Sequence, residues 1–213
     1  MEQFAVLRFR KLKTPSAIAA TGRHNRRTKF GQRDLNDKPW QSLCGSGDLL
    51  SDCRALWPAK RRKNAVLAVE IVLSASPAYF RPANPSARGE YDWRRYEEFE
   101  TVAWSFLQMH FPGMVVDCVA HFSETTPHLH AVMVPLDESG KLNARKLFFG
   151  SPKLLAAWQS AWSKACEPLG LARGVSSLIT GRKHRPLVAP TFVPQIASAK
   201  PLVRTVPDLR PRV

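Results

Sequence analysis

Residues 114–122, MVVDCVAHF, and residues 128–135, HLHAVMVP, are two short apolar runs separated by Ser123-Glu124-Thr125-Thr126-Pro127. Valine-rich runs joined by turn formers predict two antiparallel strands of a hairpin. Side chains two apart on a strand share a face. His128 and His130 therefore point together, while Leu129, Ala131 and Met133 point to the opposite, apolar face. His121 ends the preceding strand and comes beside that pair. A lone hairpin is only marginally stable in water, so this one needs a larger sheet to join.

The rest of the chain supplies partners. Residues 65–75, AVLAVEIVLSA, read as a central strand with Leu67, Val69, Ile71 and Leu73 on one face and Glu70 on the other. Residues 3–9, QFAVLRF, read as a short strand. Residues 91–111 have helical spacing, with Tyr96, Phe99, Ala103, Phe106 and His110 on one stripe. Ser151-Pro152 is an N-cap and first-turn pair opening a second helix to about residue 167, with Leu155, Trp158, Trp162 and Ala165 inward. Residues 10–63 read as polar and irregular, and the proline-bearing residues 76–90 as a loop. Residues 186–213 contain six prolines and no glycine, which excludes a regular helix or inner strand. We expect a catalytic domain over residues 1–185 followed by a basic, proline-rich tail or linker.

Three imidazoles on one sheet face make a divalent-metal site with positions left for substrate. A lone histidine is usually a surface or core residue, and a His-x-His on a strand is often structural. Three of the six histidines and an acid within ten residues are harder to explain that way, which favours a metal site on His121, His128 and His130. Glu124 in the turn is placed to orient a ligand, act as a base or join the coordination.

Charge narrows the substrate. Residues 1–63 carry 15 basic and 5 acidic side chains, residues 64–172 carry 9 and 11, and residues 173–213 carry 8 and 1. Basic ends around a near-neutral middle suit a protein that grips a polyanion. Lys60-Arg61-Arg62-Lys63 and the segment Arg23, Arg26, Arg27 and Lys29 are the expected phosphate contacts. A +15 chain argues against a metal-dependent hydrolase of small molecules. Trp40 and Trp57 lie in the polar N-terminal region as candidate base-stacking platforms or core fillers. No run of about 18 apolar residues predicts a membrane span, no secretory leader is visible, and four scattered cysteines fit a reducing cytoplasm.

The order of motifs resembles the Mob/Pre plasmid mobilization and recombination family, the MobV-type relaxases. His24-Asn25-Arg26-Arg27 is similar to the family's HNxR motif, and His121-x-x-Glu124-x-x-x-His128-x-His130 with Val134-Pro135 to its metal motif. Gly140-Lys141-Leu142 before a helix, Arg62 to Leu67 before the long strand, and Gly170 to Gly174 with Lys183-His184 downstream also resemble family segments. Ala172 stands where the family has an acid, and Leu35-Asn36 is all that matches a further asparagine motif.

The resemblance implies an α+β fold of the HUH endonuclease type: a central antiparallel β-sheet with helices packed on one face and the metal site on the other. It implies a relaxase that nicks one DNA strand at a plasmid origin of transfer by transesterification, leaving a 5′-phosphoryl-protein link and a free 3′-OH. One Mn²⁺ or Mg²⁺ ion is the implied cofactor. Single-stranded or supercoiled plasmid DNA and a conjugation coupling protein are the implied partners. His24 is the implied nucleophile, with Asn25 orienting it, Glu124 tuning the ligands or acting as base, and Arg27 contacting the phosphate. Arg173 and Lys183 join the DNA contacts. A tyrosine nucleophile, with Tyr91 ahead of Tyr79 and Tyr96, would instead mark a replication initiator or transposase. A repressor on the same fold would bind DNA without cutting it.

Overall fold

The computed structural model describes residues 3–26, 40–88, 90–122 and 126–174. Its six-stranded sheet has the order β2-β4-β5-β3-β1-β6. The strands are β1 (Phe4–Leu12), β2 (Trp40–Cys44), β3 (Ala68–Ala75), β4 (Val115–His121), β5 (His128–Met133) and β6 (Ala172–Arg173). All neighbours pair antiparallel except β1 and β6, which run parallel. The predicted hairpin is β4–β5, with His121 directly opposite His128. The central strand β3 lies between β5 and β1, placing Val72 opposite His130 and Arg10 opposite Glu70.

Helices cover both faces rather than one. On one side α3 (Pro77–Phe80), α4 (Trp93–His110) and α5 (Pro152–Ala165) pack on Val69, Ile71, Leu73, Leu129, Ala131 and Met133. Tyr96, Phe99, Phe106 and Trp162 fill this core, each at most 3% exposed. Burying side chains of this size is worth roughly 1.5–3 kcal/mol apiece, so this layer anchors the sheet. His110, expected on the same stripe, stays at the rim against Phe106 and Trp158.

The other face carries α1 (Pro15–Asn25) and α2 (Leu49–Leu56) over a smaller core of Leu12, Ile18, Leu49, Cys53, Ala68, Val132 and Val134. Both helices and β2 fall in the stretch expected to be irregular. The reason is local. Helix α1 has one large buried apolar residue, Ile18, and its helical content comes from alanines and from its start signal. Thr14 caps it by accepting from Ala17 N at 3.1 Å, and Pro15 occupies the first turn. Asp48 caps α2 by accepting from Ser51 N. Pro77 likewise occupies the first turn of α3, inside the expected loop, while the Ser76 hydroxyl accepts from Phe4 N on β1 rather than capping the helix. The tail beyond residue 185 lies outside the described residues.

Candidate metal and catalytic site

Strand alternation puts His121, His128, His130 and Glu70 on the face covered by α1, opposite the large core. The three ring centroids lie close together: His121–His128 5.2 Å, His121–His130 4.7 Å and His128–His130 4.8 Å. Each ring is held by a hydrogen bond at one nitrogen. His128 Nδ1 donates to the Thr126 carbonyl at 2.9 Å, and His121 Nε2 donates to the Asn25 carbonyl at 2.7 Å. A carbonyl only accepts, so these bonds place the proton and leave the other nitrogen as a lone-pair donor.

His130 Nδ1 lies 2.9 Å from Glu70 Oε1. Glu70 in turn accepts from Arg10 Nε at 2.5 Å, and Arg10 Nη2 donates to Thr21 Oγ1 on α1 at 3.0 Å. Burial pushes the Glu70 carboxyl up, but the hydrogen bonds from His130 and Arg10 outweigh it and hold it below its ordinary value. An ionised Glu70 accepts the Nδ1 proton and leaves the lone pair of a neutral His130 on Nε2. That atom faces His128 Nε2 at 3.0 Å. Two lone pairs at this separation call for a cation, either a metal or a shared proton. The donor set, with a carboxylate and carbonyls behind the imidazoles, fits a divalent ion.

Helix α1 brings a fourth imidazole. His24, in its last turn, sits with its ring 5.9 Å from His121 and 5.7 Å from His130. Ligand atoms of His24, His121 and His130 all lie within 4.8 Å of one another. A cleft of about 410 Å³ opens here, lined by Arg10, Ala17, Thr21, His24, Glu70 and His130.

The helix end is fastened beside the cluster. Asn25, expected to orient His24, is fully buried and reaches the site through its carbonyl, which meets His121. Arg26, expected among the phosphate contacts, turns inward instead. Its guanidinium makes a bidentate pair with Asp117, whose side chain is 0% exposed. Burial pushes the Asp117 carboxyl up and Arg26 pulls it down. Register shifts in β2 and β4 flank this pair, and Gly45 leaves room for it, since a Cβ there would collide with Asp117 Oδ1.

The other expected residues scatter. Arg23 is exposed on α1, and Lys60, Arg61, Arg62 and Lys63 are exposed after α2. Arg173 sits on β6, three strands across from β5, about 14 Å at ordinary strand spacing, so it does not join the cluster. Arg27, Lys29, Glu124 and Lys183 lie outside the described residues. Trp40 pairs with His121 in register and shares its face. Trp57 is a packing residue: its Nε1 donates to Leu67 O and Arg61 covers its ring. Tyr79 and Tyr96 are buried on the far face, and Tyr91 stacks there on Phe122. Glu70 and Arg10 are the residues sequence reasoning missed. Alternation had set Glu70 off the apolar face, and Arg8 and Arg10 sit two apart on β1, but only strand register joins them to His130.

A family model described as plasmid recombination enzyme, Mob/Pre, matches residues 57–188. A 65 kDa protein of Zymomonas mobilis is 33% identical over 186 residues, 82% of this chain and 30% of that protein. A plasmid recombination enzyme of Lactiplantibacillus plantarum is 29% identical over 158 residues, 68% of this chain and 42% of its own length. Another from Staphylococcus aureus, of type 3, is 27% identical over 128 residues, 59% of this chain and 29% of its own length. The chain thus spans between about three and four tenths of the length of these curated relatives. Among solved structures, the manganese-bound MobM relaxase domain with plasmid pMV158 oriT DNA matches with a TM-score of 0.67 at 22% identity, covering 86% of this chain and 95% of that one. A second structure of that domain matches with a TM-score of 0.65 at 21% identity. At such identity the likeness is one of fold. With the family model spanning more than half of the chain, and a relative of 33% identity spanning 82% of it, the chain belongs to the plasmid recombination enzyme (Mob/Pre) family.

Proposed function

We propose that this chain is a plasmid relaxase domain that cuts one DNA strand by transesterification with His24 as nucleophile. The observation that carries the reading is the convergence of His24, on a separate helix, with His121 and His130 of the hydrogen-bonded cluster, at a cleft that His24 and His130 line. The solved MobM domain, of the same fold, binds origin-of-transfer DNA and manganese, which supports the same substrate class and a Mn²⁺ or Mg²⁺ ion here.

In this reading His121, His128 and His130 hold the ion, which supplies charge neutralisation at the anionic phosphodiester. Asn25 O, Thr126 O and Glu70 fix the ring orientations of those three residues. A neutral His24 nitrogen attacks phosphorus. A nitrogen–phosphorus bond forms, the bond from phosphorus to the 3′ oxygen breaks, and the 3′ oxygen leaves with a proton as a hydroxyl. The other His24 nitrogen releases its proton. Reversal by the 3′-OH rejoins the strand. Arg10, 57% exposed at its side chain in the cleft, is placed to meet a phosphate oxygen. Arg27 and Glu124 keep the roles expected of them, as phosphate contact and as base or tuner. A conjugation coupling protein would receive the linked strand.

The tyrosine alternative loses ground on geometry. Tyr79 and Tyr96 are at most 2% exposed, Tyr79 donates to Arg95 O and Tyr96 to Glu100, and Tyr91 packs on the face away from the histidines. A second reading keeps the fold but makes His24 a metal ligand, because its ligand atom falls within 4.8 Å of those of His121 and His130. Denaturing gels after incubation with origin DNA and Mn²⁺ separate the two. A covalent adduct lost in His24→Ala, with Mn²⁺ affinity kept, supports the nucleophile. Loss of Mn²⁺ affinity in the same variant supports the ligand.

A further inference from the structure

A second basic cavity lies at the other end of the histidine-bearing face. It measures about 330 Å³ and is lined by Lys60, Arg61, Arg62, Asp137, Lys141 and Asn143. Two separate loops build it, one after α2 and one after β5. Arg62 Nη2 reaches across to the Leu142 carbonyl at 3.5 Å, closing one wall. Arg61 is set against the Trp57 ring, 5.0 Å from its centroid. The single acid of the lining is occupied. Asp137 accepts from Ser139 N, Ser139 Oγ, Lys141 N and Asn143 Nδ2 at 2.7–3.1 Å, so its charge serves the turn. Lys60, Arg61, Arg62 and Lys141 set four cations against this one carboxylate, so the lining stays net positive.

Its position relates it to the catalytic cleft. Leu142 and Trp57 pack on the same smaller core as Ile18 of α1, so cavity and cleft share a face of the sheet. The cleft runs along α1 from His24 back to Ala17, about 10 Å at helical rise, toward the helix start that comes after Leu12. Leu12 bonds Leu67 N at that end of the sheet, next to the cavity. Leu136, bridged to Leu142, is six residues past His130, at most about 20 Å along the chain.

The geometry points to a second phosphate-binding site, which holds the backbone of the same DNA strand away from the scissile phosphate. This inference rests on the relaxase reading for its substrate, single-stranded DNA. A separation of about 10–20 Å corresponds to roughly three to six nucleotides of stacked strand. The two sites together fix the direction in which the strand crosses the sheet. The cavity contacts phosphates, so it adds affinity without reading sequence.

The test compares two variants with equal loss of charge. Arg62→Ala/Lys141→Ala empties the cavity wall, and Lys153→Ala/Lys164→Ala removes two exposed lysines from α5 on the opposite face. Fluorescence anisotropy with a labelled 24-nucleotide oligothymidine, over a series of NaCl concentrations, reads affinity and salt dependence. The cavity variant is expected to bind about tenfold more weakly and to lose about one unit of salt slope, given roughly 0.7 per phosphate contact on single strands. The α5 variant is expected to change less than twofold. Equal weakening of both, or no weakening in the cavity variant, would overturn the site and leave only general electrostatics. Melting temperatures of both variants within a few degrees of wild type exclude misfolding. Adduct formation by the wild-type protein is scored separately: its absence counts against the relaxase reading, while the binding comparison alone decides the cavity.

Discussion

In the cluster, His130 has a ring nitrogen held by a carboxylate side chain, and that side chain is held in its turn. Glu70 fixes Nδ1, and Arg10 steadies Glu70 from the neighbouring strand. Carboxylates behind ligating histidines typically matter 10–100-fold for metal affinity. Glu70→Gln can still accept at one oxygen but loses the charge. Calorimetric titration with Mn²⁺ should show about a tenfold weaker site in Glu70→Gln, while an unchanged affinity would mean that Glu70 does not support the ion. Asp137 tests a different residue-scale statement. Hydrogen bonds from Ser139 and Asn143 hold its carboxyl well below the ordinary range. A depressed folded value contributes stability that is complete above the unfolded value, about 3.9, and is lost as pH falls below it. The urea midpoints of wild type and Asp137→Asn should therefore differ most at pH 5 and converge toward pH 2. A gap that widens on acidification would contradict the assignment. His121, His128 and His130 were legible because spacing on a strand fixes their face. Glu70 was not, because its partner lies 60 residues away and only register brings them together.

At the scale of elements, α1 decides whether His24 meets the cluster. It is a helix of 11 residues with little apolar surface, and its C-terminal end is pinned at two points: Asn25 O to His121 and Arg26 to Asp117. Removing one partner of a buried ion pair typically costs about 3–5 kcal/mol, because the other charge is left without compensation. Arg26 keeps 9% side-chain exposure, so Asp117→Ala should fall near the low end, a loss of about 3 kcal/mol by urea denaturation. Adduct formation should fall further than DNA affinity, since the pair positions His24 rather than touching DNA. A variant as stable and as active as wild type would show that the pair does not position the helix. Sequence reading missed α1 although the signal was present. Thr14-Pro15 is the same kind of helix start as Ser151-Pro152, which does mark α5. The two helices differ in the residues after that start. Helix α5 carries tryptophans and leucines at helical spacing, whereas α1 carries alanines, whose helical preference leaves no periodic apolar trace. The basic residues around it suggested a phosphate loop, and Arg26 shows how a cation placed by composition can be spent inside the fold.

For the whole molecule, the sheet separates two tasks. One face is packed with aromatic side chains from α4 and α5, and the other carries the imidazoles, the cleft and the basic cavity under two lightly packed helices. The aromatic face was legible because alternation in β3, β4 and β5 and the stripe of α4 all point the same way. The reactive face was legible only in its hairpin, since α1, α2 and β2 come from the polar stretch that periodicity does not resolve. The separation makes the three tyrosines, all on the packed side, poor candidates for nucleophile, and in the proposed function a histidine from α1 takes that place. The central claim is that His24 forms the covalent link to DNA in a metal-dependent step. It is tested most directly by incubating wild type and His24→Ala with origin-bearing supercoiled plasmid and Mn²⁺, with and without EDTA, and resolving protein-linked relaxed DNA after SDS. The account predicts an acid-labile adduct in wild type with Mn²⁺, none with EDTA and none in His24→Ala. An adduct that persists in His24→Ala, or that forms equally in EDTA, would contradict it.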